Sequence, residues 1–199
     1  MHLKQMFYLL TVAFLLIQMS CNGQKQSAKA NDSTKEVSIP CSPYYSDDQY
    51  FRASRSGESS KLMMAKKQAL LNAKTTLAGS IKSRIQSVTK HYSNKKTFKS
   101  KKARVKFSRE IEKLTRKVVD KKLRNVDIVC NKVIKKEEQD LYQYFVAIEM
   151  PASEVVKGIH KQLTSQQKSH PEYDKKQFQK VYNKELKKLD QKHKNAGDQ

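Results

Sequence analysis

Leu62, Ala65, Ala69, Ala73, Leu77, Ile81, Ile85 and Val88 recur at intervals of three and four residues, and most positions between them are polar. This period predicts one long helix from Leu62 through about Lys90 with a single apolar stripe, its N-terminus capped by Ser59 or Ser60. The middle of the stripe is alanine, so the helix must approach whatever it packs on closely, as a helix lying on a sheet does. A partner sheet is therefore required. Tyr50 to Ser54 supply one short strand, rich in residues that suit a pleated surface, and Gly57 is expected to break it.

The partners follow in order along the chain. Asn94 to about Lys101 is a polar break, and a second helix from about Lys102 to Lys122 places Val105, Ser108, Ile111, Leu114 or Thr115, and Val118 on its inner face. Val126, Ile128 and Cys130 then alternate with polar residues. After the polar run Glu137 to Asp140, Tyr142, Tyr144, Val146, Ile148 and Met150 alternate again, which predicts an antiparallel hairpin. Pro151 ends it, and Ser153 caps a short helix carrying Val155, Val156, Ile159 and Leu163. From Glu172 to Leu189 the residues Phe178, Val181 or Tyr182, Leu186 and Leu189 keep helical spacing in a lysine-rich stretch that has three outcomes open to it: docking, pairing with another chain, or fraying. The expected fold class is α+β, one small antiparallel sheet packed against helices.

Lys and Arg number 41 against 19 Asp and Glu, a formal charge of +22 on a chain that is only 37% hydrophobic. Such an excess favours anionic partners and leaves some segments solvated. It is also concentrated: from Lys90 to Lys122 there are 14 basic residues against Glu110, Glu112 and Asp120, half of the net charge in a sixth of the chain. Lys95, Lys96, Lys99, Lys101, Lys102, Arg104 and Lys106 are the candidate contacts to an anionic partner. Phe98 and Phe107 among them suggest nucleic acid, since an aromatic ring can stack on a base. Against that, Lys outnumbers Arg 34 to 7, whereas base reading prefers the planar guanidinium. Lipid phosphate or another envelope polyanion, and a merely solvated lysine face, are the other two readings.

The N-terminus carries an address. Lys4 precedes an apolar run from Phe7 to Ile17, broken only by Thr11, that fits the roughly 7 to 15 residues of a secretory signal and is too short to span a bilayer as a helix. Ser20-Cys21 follows, which resembles the lipobox of bacterial lipoproteins, although Gln18 and Met19 replace the usual leucine and small residue. The expected organisation is a signal peptide at 1–20, lipid attachment at Cys21, a flexible tether at 21–48, the α+β domain at 49–164, and a polar helix and tail at 165–199. With Cys21 acylated, Cys41 and Cys130 are the right number for one disulfide in a compartment that permits it. A free thiol buried on the strand fits Cys130 equally well.

From Tyr50 to Leu163 the order is an aromatic strand, a helix with alanine at every fourth position continuing through Leu77, Ala78, Ile81, Ile85 and Val88, a charged helix, and a Tyr- and Val-rich strand from Tyr142 to Met150. It resembles the twenty-kilodalton bacterial lipoprotein family, to which the N-terminal domain of flagellar assembly protein T is related. The likeness covers about 115 of the 199 residues. It departs at Arg55-Ser56, where members often carry a glycine pair, and in its heavier lysine content. It implies an envelope lipoprotein with a helix-on-sheet fold and no defined activity, and the expected location is the cell envelope, lipid-anchored to the outer membrane and facing the periplasm.

Catalytic motifs are not expected. The glycines lie too far apart to cradle a phosphate, and His2, His91, His160, His170 and His193 have no metal-ligand spacing. Glu137, Glu138 and Asp140 read as a solvated turn, and His160 as an ordinary partly buried histidine. Neither cofactor nor metal is expected. The reading is an envelope interaction module, with a secreted enzyme of unrecognised site as the alternative.

Overall fold

The computed structural model describes residues 39–42, 44–165 and 173–197, with side chains to 189. The signal peptide, the Cys21 attachment site and the greater part of the expected tether lie outside these residues. In chain order the elements are β1 (Tyr50–Ser59), α1 (Leu62–Lys95), α2 (Lys101–Lys122), β2 (Asp127–Lys136), β3 (Leu141–Pro151), α3 (Ala152–Ser165) and α4 (Lys175–Gly197), with short 3₁₀ turns at Leu123–Asn125 and Glu137–Gln139. The sheet order is β1-β3-β2, and the central β3 runs antiparallel to both neighbours. No helix among the described residues is long and apolar enough to cross a membrane.

The alanine stripe does what its volume allows. Ala65, Ala69 and Ala73 are fully buried, and Gly57 on β1 sits so close to α1 that a Cβ there would lie 2.5 Å from the Ala69 nitrogen and 2.6 Å from the Ala65 oxygen. Gly57 therefore does not break the strand as expected. It continues β1 to Ser59 opposite Tyr144, because a missing side chain is what the helix contact requires. The expected serine cap is also absent: Lys61 occupies the N-cap position without a side-chain bond, and Ser59 Oγ accepts only from the Lys61 N–H. At α2 the cap is Ser100, whose hydroxyl accepts from the Ala103 N–H at 3.1 Å.

A one-residue irregularity in β2 reassigns the cysteine. Ile128 pairs with Ile148, but Cys130 pairs with Ala147, so Val129 is the extra residue of a bulge. A bulge resets the side-chain alternation, and Ile128 and Cys130 fall on opposite faces instead of one. Ile148 faces the main core, whereas Ala147 and Phe145 join Cys41, Tyr44 and Cys130 in a second small cluster on the other face. There Cys41 and Cys130 are bonded, with Cα atoms 5.7 Å apart and 89 residues between them in sequence.

The domain extends further at both ends than 49–164. On the N-terminal side Cys41 is buried, the Tyr44 hydroxyl donates to the Val129 carbonyl at 3.4 Å, and Ser46 Oγ accepts from the Arg52 N–H at 2.8 Å. The last part of the expected tether is thus packed on the sheet. On the C-terminal side Phe178, Val181, Tyr182, Leu186 and Leu189 are buried in the main core, which resolves α4 as docked. Burying each such side chain contributes about 1.5–3 kcal/mol, ample to hold a helix whose other faces are lysine-rich.

Candidate functional site

A buried carboxylate fastens α4 to the second half of α1. Glu185, only 3% exposed, accepts from Ser87 Oγ at 2.8 Å and from the Lys188 ammonium. Arg84 donates to the Glu185 carbonyl at 3.0 Å. His91 Nδ1 lies 2.9 Å from Glu185 Oε1 without the alignment of a hydrogen bond. Burial alone would raise this carboxyl; the Lys188 and Ser87 hydrogen bonds, with the charges of Lys188 and His91, outweigh it and hold it below the ordinary carboxylate range. Serine, histidine and glutamate here are not wired as a nucleophile and base. The serine proton goes to the carboxylate and not to the imidazole.

At the far end of α1 the chain turns through Lys96 to Ser100 into α2, and the candidate cations collect at this corner. Lys95, Lys99, Lys101, Lys102, Arg104 and Lys106 are exposed, and among the described residues none is in an ion pair. Lys96 differs. It lies 3.5 Å from Asp174, whose Oδ1 accepts from the Gln177 N–H at 2.9 Å and so caps α4. Lys96 thus stands apart from the free cations, in contact with the start of the docked helix.

The two phenylalanines proposed for base stacking are not available in the expected way. Phe107 is fully buried, with its ring centroid 5.6 Å from those of Tyr92 and Phe98, and Phe98 is partly buried against the same core. Phe178 completes the cluster at 5.4 Å from Tyr92. These rings fix the corner from inside. Val105, expected on the inner face of α2, is 41% exposed, and Phe107 and Val119 are buried in addition to the expected Ile111, Leu114, Thr115 and Val118.

Behind the corner, α1 and α2 part to form a groove of about 440 Å³. Its floor is Ile85 and Ile111, its walls carry Lys90 from α1 and Arg104 and Arg109 from α2, and Ser93 closes it from within. The Lys82–Glu112 ion pair, 3.1 Å, marks its other limit, and a smaller cleft of about 130 Å³ continues past it to Gly79 and Asp120. Three hydroxyls in the groove are satisfied by their own helices: Thr89 donates to the Ile85 carbonyl at 2.8 Å, Ser108 to Arg104 at 3.1 Å and Thr115 to Ile111 at 2.7 Å. Ser93 Oγ is buried with no partner. Leaving a buried hydroxyl unpaired costs about 1–3 kcal/mol.

His160 on α3 is 5% exposed; its Nδ1 meets the Tyr173 hydroxyl and its Nε2 lies 2.9 Å from Gln179 Oε1. Burial lowers its pKa, only partly offset by the Gln179 bond. Glu137, Glu138 and Asp140 form an exposed turn with Asp140 left-handed at φ 45°. No cluster of three or more metal-binding side chains occurs among the described residues.

Sequence reasoning counted Lys90, Arg104 and Arg109 as surface charge but missed Ser93. The signal was there: Thr89 and Ser93 continue the every-fourth row of Ile81 and Ile85, so polar residues occupy core positions. Compared with protein-family models, with curated proteins and with solved structures, the chain matches none.

Proposed function

We propose that this chain is a bacterial envelope lipoprotein, acylated at Cys21 and anchored to a membrane, that serves as an interaction module and engages an anionic surface through its α1–α2 corner. One observation carries the reading: Lys95, Lys99, Lys101, Lys102, Arg104 and Lys106 crowd one corner without a single acidic partner among the described residues. Folding does not require that charge, since Phe107, Ile111 and Leu114 already pack the inner face of α2. The Ser20-Cys21 pattern, the likeness to the twenty-kilodalton lipoprotein family and a disulfide suited to an oxidising compartment point the same way. Anionic lipid or another envelope polyanion is favoured over nucleic acid because the aromatic rings needed for stacking are spent in the core.

The test is vesicle binding by the non-acylated Cys21→Ser protein. Near an anionic surface each basic residue contributes about 1 kcal/mol. Changing Lys95, Lys99, Lys101 and Lys102 together to Gln should therefore weaken binding to phosphatidylglycerol vesicles by roughly two to three orders of magnitude at low salt. Equal binding by variant and parent would reject the corner as the contact. In cells, Cys21→Ser should abolish fatty-acid labelling and release the protein from membranes; retention at high salt would reject the anchor.

A further inference from the structure

We propose that the groove between α1 and α2 is a binding site for a phosphomonoester, its phosphate seated on Lys90, Arg104 and Arg109 and accepting a hydrogen bond from Ser93 Oγ. The proposal rests on the reading of the corner as anion-facing and names the ligand class that a discrete part of it would select.

The groove differs from a merely charged surface in three respects. First, its donors are unclaimed. Lys90, Arg104 and Arg109 are in no ion pair among the described residues, and the one acid lining the groove, Glu112, is engaged by Lys82 at 3.1 Å and Arg116 at 3.7 Å. Second, the row of hydroxyls is broken at one position. Thr89, Ser108 and Thr115 all return their protons to the carbonyl four residues earlier, whereas Ser93, 3% exposed and lining the same groove, keeps a hydroxyl without a partner. Third, the volume of about 440 Å³ lies within the roughly 300–1,000 Å³ usual for small-molecule sites.

The donor set selects the anion. Two guanidinium forks, one ammonium and one hydroxyl offer more hydrogen bonds than the two oxygens of a carboxylate accept, and the planar fork suits phosphate geometry. A phosphodiester presents two free oxygens and one charge. A phosphomonoester presents three and carries close to two charges near neutral pH, so it fits the set better. Val105, 41% exposed above the buried Ile85 and Ile111, gives the groove an apolar edge beside the cations for whatever the phosphate is esterified to. The same chemistry comes from a lipid headgroup or from free phosphate.

The experiment uses the full-length Cys21→Ser protein at physiological salt. Its binding to phosphatidylcholine vesicles containing phosphatidic acid is compared with binding to vesicles containing phosphatidylglycerol at matched surface charge. Dihexanoyl phosphatidic acid and inorganic phosphate are titrated separately by calorimetry. We expect a preference of about tenfold for phosphatidic acid, the worth of one hydrogen bond to a charged group, lost in Ser93→Ala and in Arg109→Gln. Lys113→Gln, which removes the same charge from an exposed site outside the groove, should keep the preference. Ser93→Ala breaks no existing hydrogen bond and removes an unpaired buried hydroxyl, so it should melt at or above the parent temperature and its loss of preference is not a folding defect. Equal binding to the two vesicle types, or a preference that survives Ser93→Ala, overturns the groove while leaving the corner standing. Binding to no anionic vesicle at any salt overturns the corner, and the groove then stands or falls on Ser93-dependent calorimetry with the short-chain lipid. Inorganic phosphate binding as tightly as that lipid would support the site and assign free phosphate as its source.

Discussion

Between Ala65 and Ala73, α1 presses on β1 so closely that a single added methyl at Gly57 has no room, whereas between Lys82 and Asn94 the same helix stands away from α2 across an open groove. The first contact is limited by volume and the second by charge. Alanine opposite glycine lets two backbones meet and excludes everything else. Farther along, Lys90, Arg104 and Arg109 flank the groove without an acidic partner of their own among the described residues, and closing it would bring these like charges together. One helix is thus a structural rib at one end and a wall of the groove at the other.

The disulfide, on the sheet face opposite α1, carries the largest expected effect on the sheet that backs the rib. Linking Cys41 to Cys130 closes a loop of sequence separation 89, for which the chain-entropy account gives on the order of 4–5 kcal/mol. Replacing both cysteines by serine should lower the unfolding free energy by that amount, read from the denaturant curve, while vesicle binding by the folded fraction stays unchanged. A loss of binding in step with stability would mean that the two ends are not separable.

Gly57→Ala should cost about 3 kcal/mol, the upper part of the overpacking range, since the obstacle is helix backbone and not a movable side chain. Gly79→Ala, on the same helix with nothing within 4 Å of the new Cβ, should instead stabilise by up to about 1 kcal/mol. Thermal melts of the pair measure how local the volume limit is, and similar costs at both positions would refute it.

At the site end, Glu185→Gln should cost about 2 kcal/mol, less than a fully buried pair would, because Lys188 and His91 keep substantial access to water. It should also free α4 for proteolysis. The pH dependence has a definite sign. Glu185 titrates lower in the fold than its ordinary 4.5, so its contribution is present above that value and is lost as pH falls through the folded value. His160 titrates lower in the fold than its ordinary 6.5; the unfolded chain takes up its proton first, and stability declines as pH drops below 6.5. His160→Gln should remove the smaller, milder-acid part of the decline and leave the part due to Glu185. Urea midpoints between pH 8 and 4 check both, and a parent midpoint that rises on acidification would contradict the assignment.

Much of this fold was legible in advance because its signals are periodic and local. The α1 stripe, the order of elements and the β2–β3 hairpin follow from spacings of three, four and two residues, and alanine in the stripe already implied close approach to a sheet. What only tertiary structure decided depends on residues far apart in the chain. The bulge at Val129 exists in the pairing with β3 and sends Cys130 to the face where Cys41 lies. Phe107 reads as one more aromatic in a basic run until Tyr92 and Tyr173 pack against it. Lys96 is one lysine among many until Asp174 arrives with α4. Ser93 shows the limit most clearly. Its position in the row of Ile81 and Ile85 predicts burial, but whether a buried hydroxyl finds a partner depends on every neighbour the fold brings to it, and no local spacing encodes that.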